Sequence, residues 1–274
     1  MTTIDGRVAA VTGAGSGIGR GLALALARRG CTLALSDIDE QGLAETVELV
    51  SSEGAADLRT TRLDVADRRA VEAWADDTAD SFGGVNLIFN NAGVALSAPV
   101  ASMDYDNFHW LMNINFWGVV HGTTAFLPHL RATGEGHVVN ISSVFGLVGI
   151  PTQAAYNAAK FGVRGYTEAL RIELDQERNG VTATTIHPGG IKTNILRNAR
   201  LEDPDADVDS AAAEFEKTAR TTSDDAALVI LRAVEKNKRR AMIGADARIF
   251  DLAARLPPAV YQRIIGRLFR DGAV

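Results

Sequence analysis

The amino-acid sequence predicts an α/β fold, in which a doubly wound sheet of seven parallel strands carries helices on both faces and a C-terminal helical extension follows. Short apolar or β-branched runs alternate along the chain with longer stretches of helical period. A glycine-rich turn stands directly between the first strand and the first helix, which is typical of a Rossmann-type sheet. A length of 274 residues and a hydrophobic content of 46% suit one domain spanning 1–274.

The first half of the chain alternates four predicted strands with three predicted helices. The strands are 8–12, 32–36, 57–63 and 86–90, and the helices are 17–29, 39–52 and 67–82. Asp39 and Asp67 stand at the starts of their helices, where a carboxylate can accept hydrogen bonds from the first free N–H groups. Gly30 follows the first helix, where a left-handed residue commonly ends one.

The second half continues the alternation and adds two less regular segments. Further strands are predicted at 137–141, 182–187 and 241–243, and helical stretches at 105–130, 153–177 and 223–236. Residues 190–222 have weaker periodicity and are predicted to form a substrate loop with short helical pieces. Residues 245–274 are predicted to form a tail of one or two amphipathic helices, broken at Pro257 and Pro258.

Composition and charge argue against several classes of protein. A net charge of -6 does not favour a nucleic-acid partner. The only cysteine, Cys31, lies in an apolar stretch and is interpreted as a core residue, and the five histidines form no ligand-like cluster, so no metal site is expected. The sequence has neither an apolar run of roughly 20 residues nor the features of a signal peptide. We expect a cytoplasmic protein without a transmembrane segment.

The glycine-rich turn suggests a dinucleotide site. Residues 12–19 read Thr-Gly-Ala-Gly-Ser-Gly-Ile-Gly. Glycines let the backbone approach a pyrophosphate closely, and the free N–H groups of the helix start favour its negative charge. The spacing is not G-x-G-x-x-G, so a purely structural turn is the alternative interpretation. The position between a strand and a helix favours the dinucleotide site.

Asp37, at the end of the second predicted strand, indicates a preference for NAD. A carboxylate there accepts hydrogen bonds from the adenosine ribose hydroxyls and repels a 2'-phosphate. The alternative is a helix N-cap, but Asp39 is better placed for that. No arginine or lysine occupies position 16 or 38 to receive a phosphate. Asp64, beside Val65, is placed to meet the adenine, although it could equally cap its loop.

Tyr156 and Lys160 lie one helical turn apart, on the same face of a predicted helix. A phenol with an ordinary pKa near ~10 is a poor base at neutral pH. A fixed ammonium nearby, together with a cationic nicotinamide, favours its ionised form, so that the phenol can exchange a proton with a substrate oxygen. The pattern alone is weak, because many ordinary helix faces carry it.

With these motifs in order, the chain resembles the short-chain dehydrogenase/reductase family over roughly residues 5–245. Residues 12–19 match the family's T-G-x-x-x-G-I-G turn, and residues 90–93 match its N-N-A-G segment. Residues 188–193 match its P-G-x-x-x-T element. The catalytic residues that the resemblance implies are Asn115, Ser143, Tyr156 and Lys160.

The resemblance also implies roles for these residues. Tyr156 is the general acid or base, Ser143 holds the substrate oxygen, and Lys160 binds the nicotinamide ribose and lowers the pKa of the phenol. Asn115 holds a water that links Lys160 to solvent, while Ser142 and Asn113 are interpreted as structural neighbours. The cofactor-binding residues that the resemblance and the positions above imply are Gly13, Gly15, Ser16, Gly17, Ile18, Gly19, Asp37, Asp64, Val65, Asn91, Ala92, Gly93, Tyr156, Lys160, Pro188, Gly189, Ile191 and Thr193.

These features predict an NAD-dependent oxidoreductase that interconverts a secondary alcohol and a ketone and needs no metal. The alternatives are a non-catalytic NAD-binding sensor or scaffold with the same fold, and an epimerase or dehydratase with tightly held NAD. Family members are usually homo-oligomers, so a tetramer or dimer is expected, with residues 105–130 and 153–177 at the interface.

The tail is the main feature that the family pattern does not explain. Its last helix carries an apolar stripe and, on another side, arginines. The stripe comprises Val260, Tyr261, Ile264, Ile265 and Leu268, and the arginines are Arg263, Arg267 and Arg270. Such a helix can lie on an anionic membrane surface. We favour packing of the stripe on the domain, a partner subunit or the substrate cleft, with the tail and residues 194–222 enclosing a fairly hydrophobic substrate.

Overall fold

The computed structural model describes residues 2–202 and 208–270. Its strands are β1 Val8–Thr12, β2 Thr32–Asp37, β3 Asp57–Arg62, β4 Leu87–Asn90, β5 Leu96–Ser97, β6 Gly136–Ile141, β7 Val181–Pro188, β8 Arg200–Leu201 and β9 Arg240–Ile243. Its α-helices are α1 Gly17–Ala27, α2 Glu40–Glu53, α3 Arg68–Phe82, α4 Tyr105–Met112, α5 Gly118–Ala132, α6 Ala154–Glu177, α7 Val208–Thr218, α8 Ser223–Glu235, α9 Ala245–Ala253 and α10 Pro258–Arg270. Residues 203–207 of the predicted substrate loop and 271–274 of the predicted tail lie outside the described residues, as do the side chains of Leu268 and Arg270.

Seven strands form one parallel sheet in the order β3-β2-β1-β4-β6-β7-β9. The chain builds outward from β1 to β3 and then returns to the other side of β1 with β4. The loops after β1 and β4 therefore leave the sheet in opposite directions and open a crevice between them, where ligands bind in sheets of this kind. The predicted doubly wound, Rossmann-type architecture is confirmed.

Two apolar cores cover the two faces of the sheet. On one face, α1 and α8 pack on the central strands around Leu22, Leu26 and Ile230. On the other face, α3, α5 and α6 pack around Trp74, Phe126 and other side chains. Because both faces are covered, the central strands are buried along almost their whole length, as is typical of parallel sheets, and their buried polar side chains, such as His137 and Asn140, are hydrogen-bonded. Cys31 lies in the first core, as predicted.

Local capping signals place several helix ends where the sequence predicts them. The Asp39 carboxylate accepts hydrogen bonds from Gln41 N and Gly42 N, and the Asp67 carboxylate caps α3 in the same way. Gly30 has a φ of +67°, the left-handed conformation predicted after α1. These predictions are confirmed because a cap depends only on neighbouring residues.

The structure departs from the predicted helix over 105–130. A π-helical turn, Asn113–Trp117, separates α4 from α5. Such a turn inserts an extra residue, so the side chains on either side of it face different neighbours. Hydrophobic period alone does not reveal it.

The predicted substrate loop contains elements that the sequence analysis missed. Its first part forms β8, which pairs in parallel with β5 as a separate two-stranded sheet. The Arg200 guanidinium lies 3.9 Å from the centre of the Trp110 ring, and Glu202 accepts a hydrogen bond from the Asn107 side chain at 2.8 Å. These contacts fasten the loop to α4. Strands of two residues are too short to leave a periodic signal.

The tail forms two helices, α9 and α10, with the break that Pro257 and Pro258 predict. Ile265 is buried against Leu147, Val148 and Ile150, in the loop that follows β6. The favoured interpretation, that part of the apolar stripe packs on the domain, is confirmed for Ile265. Across residues 2–202 and 208–270, no helix is both long and apolar enough to span a membrane.

The cap of α3 provides a test of the local stability of the fold. Asp67→Ala removes the side chain that accepts from Arg69 N at 3.0 Å and Ala70 N at 3.2 Å. We expect the free energy of unfolding to fall by about 1 kcal/mol, because two N–H groups lose their partner. Urea denaturation measures the change. Asp77→Ala, at an exposed position inside the same helix, is the control, and an equal loss in both variants would contradict the capping role.

Candidate active site

The crevice between β1 and β4 is closed at its base by hydrogen bonds between the two strand ends. The side-chain amide of Asn91 donates to Thr12 O at 3.0 Å and to Gly13 O at 3.1 Å. In return, the Thr12 hydroxyl oxygen accepts from Asn91 N and Ala92 N. Asn91 was predicted to bind cofactor, and its side chain instead joins two loops. A backbone contact with a cofactor stays a prediction.

Close packing explains why the turn after β1 requires glycine. Gly13 has a φ of +65°, and a Cβ atom there would lie 2.8 Å from Ala92 Cα. A Cβ atom at Gly19 would lie 1.9 Å from Gly13 O. Ile18 packs on the apolar core beneath the turn. The turn therefore follows the sheet edge closely, with its backbone facing the crevice.

The N-terminus of α1 differs from those of the neighbouring helices. Ser16 occupies its N-cap position but makes no side-chain capping hydrogen bond, whereas carboxylates cap α2, α3 and α4. Backbone N–H groups at such a helix start can bind a phosphate. The glycine turn and the helix start fit a dinucleotide pyrophosphate.

Asp37 lies at the end of β2, beside the glycine turn. One of its carboxylate oxygens accepts from Gly15 N at 2.7 Å and the other from Asp39 N at 2.9 Å. Asp39, not Asp37, caps α2, as predicted. The carboxylate thus has a fixed orientation at the position where a bound adenosine ribose is expected.

Asp64 and Val65 have mainly local contacts. Asp64 is exposed and accepts a hydrogen bond from Ala66 N at 2.9 Å, which agrees with the alternative that it caps its loop. Val65 is buried against Gly118 at the start of α5. Contact of either residue with an adenine stays a prediction.

The loop that follows β7 runs past the glycine turn. A Cβ atom at Gly17 would lie 3.1 Å from Thr193 Cγ2, so the two predicted cofactor segments face each other. Pro188 ends β7, and Ile191 is buried in the main core. Asp246, in the first turn of α9, accepts from Gly190 N at 2.6 Å. The tail therefore braces this loop, a contact that no local sequence signal reveals.

Ser143, Tyr156 and Lys160 lie in a common pocket. The Lys160 ammonium is 5.6 Å from the centre of the Tyr156 ring and donates a hydrogen bond to Ile141 O at 3.0 Å. The Ser143 hydroxyl interacts with the Tyr156 phenol. Lys160 is buried, while Tyr156 is half-buried. The three residues, which are separated in the sequence, therefore form one cluster beside the crevice.

Burial dominates the ionisation of the pair. It raises the pKa of Tyr156 to about 12, and the interaction with Ser143 opposes this only in part. It also lowers the pKa of the Lys160 ammonium to about 8. The pKa of Tyr156 is therefore raised in the protein alone and not lowered as expected, because desolvation disfavours the phenolate.

Asn115 is fully buried in the π-helical turn and close to the same pocket. Its side-chain amide donates to Val94 O at 2.8 Å and accepts from Val94 N at 2.8 Å. A Cβ atom at Gly93 would lie 3.3 Å from Asn115 Oδ1 and 3.6 Å from Lys160 Nζ. The amide thus positions the segment after β4 next to Lys160. The predicted water relay stays a prediction.

His187 is a residue of the site that the sequence analysis treated as incidental. It is fully buried in β7, and its Nδ1–H donates to Ser143 O at 2.8 Å. Burial lowers the pKa of His187 to about 4, so the ring is neutral near pH 7. Ser142 donates to Lys160 O at 2.8 Å, in keeping with its interpretation as structural. The sequence signal that could have drawn attention to His187 was the presence of a histidine directly before Pro188.

Apolar side chains surround the phenol on two sides. Phe145 meets the Tyr156 ring edge-on, with 6.0 Å between ring centres. One cluster contains Leu96, Leu111 and Phe108, and the second contains Leu147, Val148, Ile150, Phe250, Tyr261 and Ile265. The pocket therefore combines a few polar groups with apolar walls, which is typical of small-molecule sites.

Comparison with known proteins identifies the family. The family model described as short chain dehydrogenase matches residues 7–204, which contain every segment of this site except the tail. The chain belongs to the short-chain dehydrogenase family. The resemblance inferred from the motifs is confirmed, and this short-chain dehydrogenase is an oxidoreductase.

Three relatives are informative. SadH of Mycobacterium tuberculosis is 47% identical over 266 residues, covering 97% of this short-chain dehydrogenase and 96% of SadH. Levodione reductase of Leifsonia aquatica is 37% identical over 216 residues, covering 78% and 80% of the two chains. A short-chain dehydrogenase/reductase from Burkholderia phymatum, solved in complex with NAD, superimposes with a TM-score of 0.82 at 31% identity, covering 94% and 98%.

The buried ammonium of Lys160 predicts a pH-dependent stability. Its pKa is lowered from 10.5 to about 8, so between these values the unfolded chain binds more protons than the folded one, and stability rises with pH. Below pH 8 the folded protein bears the full penalty of burying the charge. Lys160→Met should therefore raise the free energy of unfolding at pH 7 by roughly 1–3 kcal/mol, with the gain shrinking as pH rises towards 10.5.

Chemical denaturation at a series of pH values measures this difference. Lys236→Met, at an exposed position after α8, is the control, because no burial penalty acts there. A Lys160→Met variant that is less stable than the parent at pH 7, or whose gain is independent of pH, would refute the interpretation.

Proposed function

We propose that this short-chain dehydrogenase interconverts a secondary alcohol and a ketone of fairly hydrophobic character, with NAD as the hydride carrier and Tyr156 as the general acid/base. The observation that carries the proposal is the cluster of Ser143, Tyr156 and Lys160, which lies next to the segment that follows β4. The levodione reductase relative supports alcohol and ketone chemistry.

Bound NAD supplies the acceptor or donor for the hydride. In oxidation, the ionised Tyr156 oxygen would take the proton of the alcohol, and in reduction the neutral phenol would donate its proton to the carbonyl oxygen. Ser143 donates a hydrogen bond to the substrate oxygen and orients it. Because burial raises the pKa of Tyr156, the proton transfer depends on nearby positive charge, which Lys160 and an oxidised nicotinamide both provide.

Two features support the choice of NAD. The Asp37 carboxylate is oriented by Gly15 N and Asp39 N, beside the turn, where a 2'-phosphate would be repelled. The Burkholderia phymatum relative was solved with NAD. We propose that Gly13, Gly15 and Ser16 bind the pyrophosphate through their backbone and that Lys160 and Thr193 contact the nicotinamide half.

The substrate preference rests on the apolar walls of the pocket. Phe145 and the cluster beneath the tail lie on one side of Tyr156, and the cluster around Leu111 lies on the other. We propose that the tail, whose Ile265, Phe250 and Tyr261 belong to this cluster, and the loop beginning at Asn194 enclose a bound substrate here. Burial of apolar substrate surface there contributes roughly 25 cal/mol per Å².

A non-catalytic NAD-binding sensor is the second candidate. It would keep the crevice without needing a buried ammonium beside a phenol, and the cost of burying Lys160 is an argument against it.

We also propose a homo-oligomer, in line with the family, and a cytoplasmic location. The homo-oligomer rests on the resemblance alone.

Tyr156→Phe tests the role of the phenol. The variant keeps the ring and its contact with Phe145 but loses the hydroxyl, so alcohol-dependent NADH formation should fall by about a thousandfold or more, while the Kd for NADH stays within about twofold. Absorbance at the NADH band, with a panel of alcohols, measures turnover. Tyr105→Phe, at an exposed position, is the control. Unreduced turnover in Tyr156→Phe would disprove the mechanism, and a parent that turns over nothing while binding NADH would favour the sensor.

Asp37→Asn tests the cofactor preference. The substitution keeps the shape of the side chain and removes its charge, so the Kd for NADPH should fall relative to the Kd for NADH by on the order of tenfold or more. Fluorescence titration with both cofactors gives the ratio. Asp77→Asn, on the outer face of α3, should leave it unchanged. If Asp37→Asn also leaves the ratio unchanged, Asp37 does not select NAD.

A further inference from the structure

The last two helices expose an unusual amount of aliphatic surface. Of the thirteen large hydrophobic side chains that the described residues expose, five lie within 249–264, each between 42% and 67% exposed. They are Ile249, Leu252, Leu256, Val260 and Ile264, and we call them the tail face. Spacings of three and four residues place Ile249 with Leu252 on one side of α9 and Val260 with Ile264 on one side of α10, and Leu256 lies in the turn between the helices. Scattered exposed aliphatic residues are ordinary, but a concentration of this kind indicates a binding surface.

The tail face is not used to hold the helices on the domain. Ile265, one position from Ile264, is buried against Leu147 and Val148, and Ala247 is buried at the start of α9. Phe250 and Tyr261 belong to the same buried cluster. The helices are therefore anchored through these side chains, and the tail face remains exposed beside them.

Unpaired positive charge accompanies the tail face. Arg248, Arg263 and Arg267 are exposed, and none forms an ion pair with a carboxylate of the described residues. On a helical wheel, Arg263 and Arg267 border the side that carries Val260 and Ile264. The outer side of the tail thus combines aliphatic groups with guanidinium groups that pair with no carboxylate within residues 2–202 and 208–270.

The carboxylates of the same helices are directed inward. Asp246 accepts from Gly190 N, and Asp251, with a side chain only 16% exposed, pairs with Arg240 and Arg255. The tail is therefore locally basic at its surface, although the whole chain has a net charge of -6. This segregation of charge points to an anionic partner.

We propose that the tail face docks on the surface of a membrane containing anionic phospholipids. An amphipathic helix binds such a surface when its aliphatic side chains enter the headgroup boundary and its arginines contact phosphate groups. A second copy of the chain fits less well, because a two-fold contact would place the unpaired arginines of both copies near one another. Docking here is peripheral, since α9 and α10 lie along the surface.

The location of the tail face links docking to the site. The inner side of α10 packs on the loop 144–150, and Phe145 of that loop touches the Tyr156 ring. Docking would place this side of the pocket next to a lipid phase, from which a lipophilic alcohol or ketone could enter. This consequence rests on the proposed function, whereas docking itself does not.

Vesicle co-sedimentation of the full chain tests the proposal. We expect binding to vesicles of phosphatidylcholine mixed with phosphatidylglycerol, at least about tenfold weaker binding to phosphatidylcholine alone, and weakening by salt. Ile264→Glu should reduce binding by about tenfold or more, because it places a charge in the aliphatic surface. Leu228→Glu is the matched control: Leu228 is 45% exposed and Ile264 47%, but Leu228 lies on α8. Thermal melts check that both variants are folded.

Three outcomes would overturn the proposal. The first is that the protein binds neither kind of vesicle. The second is that Ile264→Glu and Leu228→Glu bind vesicles equally well. The third is that the protein does not bind vesicles but forms a concentration-dependent oligomer, which Ile264→Glu dissociates. The last would assign the tail face to a second copy. Tyr156→Phe must still bind vesicles, so failure of the proposed reaction and failure of docking are distinguishable.

Discussion

The hydrogen bonds between the ends of β1 and β4 are the constraint on which the site depends. Asn91 binds the backbone of Thr12 and Gly13, and Thr12 binds the backbone of Asn91 and Ala92. The two strands are neighbours in the sheet but lead to loops that part in opposite directions. Their linkage fixes the glycine turn on one side of the crevice and, through Gly93, the segment next to Asn115 and Lys160 on the other.

Electrostatics at the pocket works against the protein's stability. Burial disfavours both the phenolate of Tyr156 and the ammonium of Lys160, which raises the pKa of the first and lowers that of the second. A core would not retain such groups for packing alone. The same burial strengthens every interaction between charges within the pocket, since water does not screen them. Burial of these groups therefore lowers the stability of the fold, while it strengthens the electrostatic interactions among the phenol, the ammonium and a bound cofactor.

The tail connects several parts of the molecule that lie far apart in the chain. Asp246 braces the loop after β7, Ile265 packs on the loop after β6, and the opposite side of the same helices carries the tail face. Two loops of the site thus share one support. The tail thus packs directly on the surroundings of Ser143 and Tyr156, and His187 donates a hydrogen bond to the Ser143 backbone from β7.

The sequence by itself determined the features that neighbouring residues encode. Asp39 and Asp67 cap helices within three residues of themselves, and period and length locate the seven strands. The motif residues 143, 156 and 160 meet in one pocket because the family fold brings them together, so a resemblance sufficed to predict it. Their chemical roles, and the choice of NAD, remain proposals.

Only the tertiary structure decided what depends on partners distant in the chain. The pairing of β5 with β8, the π-helical turn around Asn115 and the contact of Asp246 with Gly190 have no local signal. The ionisation of Tyr156 likewise follows from burial, which is a property of the surroundings and not of the Tyr156 and Lys160 spacing. Capping and periodicity act over a few residues, whereas desolvation and long-range packing exist only once the chain has folded.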